Sequence, residues 1–146
     1  MNQLDQIDVK ILNLLQDNAR ISISEIGRTI NMTAPAVTER VKRLEEKGII
    51  QGYRADIDQS KLGKAVTAFL LIQTDRCDKL TAFCERSPEV MELHQISGQY
   101  NFLMKVVSES ISALDQFRIA CSEYGFTQTL TVLSSTFQVK PIELGS

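Results

Sequence analysis

Between Thr33 and Lys47 the sequence TAPAVTERVKRLEEK carries cations at Arg40, Lys42, Arg43 and Lys47, hydroxyls at Thr33 and Thr38, and a carboxylate at Glu39. Cations neutralise phosphate, and Arg, Thr and Glu side chains hydrogen-bond base edges, so the combination suits a surface that meets double-stranded DNA. It does not suit catalysis. His94 is the only histidine, it falls between Leu93 and Gln95 in a strand-like run, and no G-x-S-x-G, H-x-x-x-H or phosphate-loop spacing accompanies it, so no enzyme is expected. Cys77, Cys84 and Cys121 are odd in number, lack C-x-x-C spacing and fall on apolar helix faces. They read as small buried hydrophobes, and neither a metal site nor a cofactor is expected.

The polar groups need a helix to hold them. Proline is tolerated only in a helix's first turn, so Pro35 fixes a start close by, with Thr33 as the N-cap and Gly48 supplying the left-handed position that ends it. Val37, Val41 and Leu44 then make one narrow apolar stripe, leaving Thr38, Glu39, Arg40, Lys42 and Arg43 elsewhere on the surface. Upstream, residues 4–16 place Leu4, Ile7, Ile11, Leu14 and Leu15 on a first helical stripe. Ser22 and Glu25 have capping-box spacing ahead of a two-turn helix through Ile23, Ile26 and Ile30. Only Asn31-Met32-Thr33 joins that helix to the next. Two short helices with so tight a turn, the second one basic, match the helix-turn-helix plan. IIQGYRADID after the third helix reads as a short hairpin, hence a winged form.

Small residues at Ala34, Pro35 and Ala36 let the helix start approach DNA closely, where its free N–H groups favour phosphate. Thr33, Ala36, Thr38, Glu39 and Arg40 are expected at base edges, and Arg28, Lys42, Arg43 and Arg54 at phosphates.

A chain of 146 residues with 43% hydrophobic content can bury the core of one domain or two small ones. Its net charge of −2 conceals local asymmetry: residues 20–54 hold seven basic against four acidic residues, a balance of +3. Over residues 1–60 the balance is eight against nine, so the basic character is a patch. No run approaches the length of a membrane span, and MNQLDQIDVK lacks a signal-peptide pattern, so the chain is expected to be cytoplasmic, without a membrane partner.

From residue 65 the pattern changes. AVTAFLLIQT, VMELHQIS, FLMKVVS and TQTLTVLSSTFQV read as strands, and CDKLTAFCERS and SISALDQFRIACSEYG as helices. The expected class is α+β: a winged helix-turn-helix over residues 1–60, a linker at 61–64, and a ferredoxin-like β-α-β-β-α-β sandwich over 65–146. Two helices cover one face of a four-stranded sheet, yet both faces are apolar: Val66, Ala68, Leu70 and Ile72 oppose Phe69 and Leu71, and Phe102, Met104 and Val106 oppose Leu103 and Val107. The second apolar face predicts a homodimer whose sheets pack together, so that two recognition helices read two half-sites.

The run from Leu4 to Asp58, above all TERVKRLEEKGII, with Leu62-Gly63 and the glycine turn of HQISG, resembles the Lrp/AsnC, or feast/famine, transcription regulators over nearly the full length. The resemblance implies a winged helix-turn-helix joined to an effector-binding and oligomerising domain, assembled as dimers and often octamers. It also implies an effector, usually an amino acid, near the turn after the second strand, here Gly98, Gln99, Tyr100 and Asn101. Family members commonly carry acidic residues in this turn, often aspartate near the position of Asn101. This chain has amides there, which lack charge-assisted strength toward an ammonium group. Two rival readings are an effector-independent architectural protein that bends or wraps DNA, and a ligand-sensing interaction module without DNA binding.

Overall fold

The computed structural model describes residues 4–145 and divides into two compact units. The helical unit contains the described residues up to Asp56 together with those from Phe137 onward; the sheet unit is Ile57–Thr136. Residues 137–145 therefore cluster with the helical unit, whereas the sequence suggests a sandwich over 65–146.

In the helical unit, α1 (Gln6–Asp17), α2 (Ile23–Ile30) and α3 (Ala34–Glu46) close around Ile11, Leu12, Ile26, Val37, Val41 and Leu44. Each such side chain withdrawn from water stabilises the unit by roughly 1.5–3 kcal/mol. Asp5 caps α1 reciprocally with Asp8: each accepts the other's backbone N–H, at 2.8 and 3.4 Å. Ser22 Oγ accepts the Glu25 N–H at 3.1 Å, as its spacing required. Gly48 has φ +69° and ends α3. Among the described residues the expected hairpin does not form: residues 51–58 are exposed and belong to no strand.

The sheet unit opens with a short 3-10 turn, Gln59–Leu62. Then follow β1 (Val66–Gln73), α4 (Cys77–Glu85), β2 (Val90–Gln95), β3 (Phe102–Ser108), α5 (Ile111–Ser122) and β4 (Phe126–Thr131). The strands run antiparallel in the order β2-β3-β1-β4, which is the ferredoxin-like arrangement. Ala68, Leu70, Ile72, Phe102, Met104 and Val106 pack under Leu80, Cys84, Leu114, Phe117 and Cys121 of the two helices, so both helices share one face. The three cysteines are free thiols; burial pushes Cys84 up to about 11 and, with neighbouring charge adding, Cys121 up to about 12. β4 is shorter than expected: Leu133, Phe137 and Val139 alternate like a strand but are exposed.

Register defines the other face. Phe69 lies opposite Lys105 and Leu130, Leu71 opposite Leu103 and Gln128, and Gln73 opposite Phe126. Phe126 is 67% and Leu130 45% exposed, so this side is apolar and uncovered by any helix. Among the described residues no helix is long and apolar enough to cross a membrane.

Candidate nucleic-acid interface

The joint between α2 and α3 is built by close backbone approach. Asn31 takes the left-handed conformation (φ 56°, ψ 49°) and ends α2, and the Met32 N–H returns to the Gly27 carbonyl at 2.8 Å. A Cβ on Gly27 would stand 2.5 Å from the Met32 carbonyl oxygen, so only glycine lets the turn fold back this tightly. Thr33 Oγ1 accepts the Ala36 N–H at 3.4 Å, and Pro35 falls in the first turn, where its missing N–H costs nothing.

Val37, Val41 and Leu44 turn inward, which rotates the rest of α3 outward. Thr33, Ala34, Pro35, Thr38, Glu39, Lys42 and Arg43 are exposed, and Ala36 is half-buried. Arg28, in the last turn of α2, and Arg54 are exposed as well. Lys42 lies 3.9 Å from Glu46, an exposed pair worth little in water.

Arg40 departs from expectation. Its guanidinium does not face outward: Nη1 donates to Asp5 Oδ2 at 2.5 Å and to Asp8 Oδ1 at 3.0 Å. One cation thus bridges both carboxylates of the α1 capping box, and Arg40 locks α3 to α1 instead of reading bases. The reason is local charge: Asp8 is buried, and a buried carboxylate requires a partner. The Asp8 N–H, and then the Arg40 hydrogen bond, hold the Asp5 carboxyl below its ordinary range, and both acids raise Arg40. Asp5, Asp8 and Gly27 escaped the sequence reading; the Asp-x-x-Asp spacing before an apolar stripe is the signal that could have exposed the first two.

Behind α3 the chain is held by the Tyr53 hydroxyl, which donates to Glu45 Oε1 at 2.9 Å. Partial burial first, and then the Glu45 carboxylate, push that phenol up to about 12.

In the turn after β2, Gly98 has φ +110°, Gln99 is exposed and Tyr100 is half-buried. Asn101 is occupied: its Oδ1 accepts the Thr74 N–H at 2.9 Å and its Nδ2 donates to the Thr74 carbonyl at 2.8 Å. That amide ties the end of β1 to the start of β3, so the expected effector contact from its side chain is corrected to a structural one. Among the described residues no cluster of three His, Cys, Asp or Glu side chains could hold a metal.

Known proteins share this plan. A family model described as winged helix-turn-helix DNA-binding matches residues 4–51, and one described as Lrp/AsnC ligand binding domain matches residues 67–142. The HTH-type transcriptional regulator YezC of Bacillus subtilis is 41% identical over 133 residues, covering 91% of this chain and 96% of that protein. The leucine-responsive regulatory protein of Rhizobium meliloti is 34% identical, covering 97% and 92%. The solved structure of Bacillus subtilis LrpC superposes with a TM-score of 0.88 at 32% identity, covering 94% and 99%.

Proposed function

This chain belongs to the Lrp/AsnC family of DNA-binding transcriptional regulators, and from that premise we propose how it meets its operator: α3 enters the major groove by its first two turns. One observation carries this reading. From Thr33 to Thr38 the chain presents only small or hydroxyl-bearing residues to solvent, with Glu39 next, while the opposite side of α3 is sealed into the core. Thr33, Thr38 and Glu39 supply groups for base edges, Ala34 and Ala36 methyls suit thymine, and the uncovered N–H groups favour phosphate. Arg28, Lys42, Arg43 and Arg54 remain for the backbone, without Arg40. A salt titration of duplex binding tests it: affinity falls steeply with salt, and a flat response defeats the reading.

The sheet face of Phe69, Leu71 and Leu103, half-buried, and Phe126 and Leu130, exposed, supports a homodimer formed sheet to sheet, and assembly of dimers to an octamer extends the same logic. Two recognition helices on a two-fold axis read a palindrome with half-sites about one helical turn, or a multiple, apart. The chain acts on DNA in the cytoplasm.

The name of the Rhizobium relative supports an amino-acid effector, with Gln99, the backbone of Gly98 and the Tyr100 ring available to hold a zwitterion. The commitment of Asn101 to Thr74 favours a second reading, in which the chain binds and bends DNA without any effector. Selecting bound genomic fragments with and without a panel of amino acids separates the two: a changed fragment set supports the first, an unchanged one the second.

A further inference from the structure

Residues 51–54 carry Arg54 but pair with no strand, so their position depends on a few anchors. Leu44 O accepts the N–H groups of Ile49 and Ile50 at 3.0 and 3.1 Å, and Tyr53 reaches Glu45. The third anchor comes from the far end of the chain. The Gln16 amide, on the outer face of α1, reads one main-chain residue in both directions: Nε2 donates to the Ile142 carbonyl at 3.1 Å and Oε1 accepts the Ile142 N–H at 2.8 Å. Two residues on, Leu144 packs against the core that Ile49 and Ile50 also join. Between them lies a cavity of about 300 Å³, walled by Leu12, Leu15, Tyr53, Arg54, Ile142 and Leu144.

We propose that residues Pro141–Gly145 are a detachable clasp of the DNA-binding unit, which holds the segment 49–54 and with it Arg54 in place for the phosphate backbone. A side-chain amide that pairs with both polar groups of a single peptide residue recognises an extended backbone whatever its side chains, and the apolar Leu144 sets the register. The contact is made to open. Both hydrogen bonds are exposed, Ile142 at the edge of the cavity is 72% exposed, and only Leu144 is partly buried, so the clasp belongs to the low-stability end of the unit. While it is open, the cavity loses one wall and residues 51–54 lose their support, so duplex affinity follows the closed fraction.

This inference rests on the DNA-binding reading for its consequence, but not for its geometry. The test uses full-length Gln16→Ala, which touches no core residue, and Leu144→Asp, with amide exchange and duplex affinity at fixed salt as readouts. Wild-type Ile142 N–H is protected. In both variants that protection is lost, amides of residues 51–54 exchange about tenfold faster, and affinity falls about three- to tenfold. An unprotected Ile142 in the wild-type chain overturns the clasp. So does a Gln16→Ala chain that frees Ile142 yet leaves residues 51–54 and affinity unchanged. If the wild-type chain binds no duplex, the DNA reading fails, and the exchange data by themselves decide the clasp.

Discussion

Arg40 Nη1 lies 3.0 Å from Asp8 Oδ1, so the middle of α3 is bolted to the first turn of α1 by a half-buried cation against a buried carboxylate. Asp5 accepts a second bond from the same nitrogen. The outward direction of the other polar residues on α3 is set by that bolt together with the Val37, Val41 and Leu44 stripe.

Replacing Arg40 by Ala is expected to cost roughly 1–2 kcal/mol of stability, because it strands Asp8 away from water without a cation. Lys is expected to restore part of the lost stability, since one nitrogen, Nη1, makes both bonds and an ammonium group also has donors for two carboxylates. Urea unfolding followed by circular dichroism reads both. The pH dependence has a definite sign. The Asp5 carboxyl is held below its ordinary 3.8, so its stabilising effect is fully present above that value and is lost as pH falls through the lower folded value. Asp5→Asn is therefore less stable than wild type at neutral pH, and the gap closes in acid.

Gly27→Ala pits two effects against each other. Alanine favours a helix interior by about 1 kcal/mol, but its Cβ would meet the Met32 carbonyl oxygen at 2.5 Å, and backbone cannot step aside cheaply. The clash wins, with a net loss of roughly 1–3 kcal/mol and a displaced α3 start. Thermal melting measures the first, and weakened duplex binding by the still-folded fraction measures the second.

Lys42→Ala and Arg43→Ala remove exposed cations without touching the core. Each is expected to weaken duplex binding uniformly across sequences and to lower the slope of log K against log salt by about 0.9. Oligomeric state is unchanged. An unaltered slope in both variants rejects α3 as the element that meets phosphate.

Leu71→Asp places a charge in the middle of the uncovered sheet face, opposite Leu103 and Gln128. Sedimentation velocity is expected to show loss of the dimer, with helix and sheet content preserved. Duplex affinity falls at the same time, because one recognition helix no longer raises the effective concentration of the other. A variant that sediments like the wild type places the dimer contact elsewhere.

What could be read directly from residue order was local. Thr33, Pro35 and Gly48 bracket α3, Ser22 caps α2, and the stripes through Ile11, Ile26, Val37 and Leu70 assign core faces, because caps and stripes depend on spacings of two to four residues. Even the two-sided apolar character of β1 and β3 follows from alternation. The hairpin after α3 and the long fourth strand depart from their alternation for one reason: alternation makes a strand only where a partner edge exists to pair with it.

The partnerships of the polar side chains lay beyond such rules. Arg40 is separated from Asp8 by 32 residues, Asn101 from Thr74 by 27, and Gln16 from Ile142 by 126. Arg40 and Asn101 read from the sequence as available for a ligand, and all three side chains are satisfied by their own chain. Periodicity says which way a side chain points, but a hydrogen bond needs two groups within about 3 Å, and only the packing of distant segments brings them there.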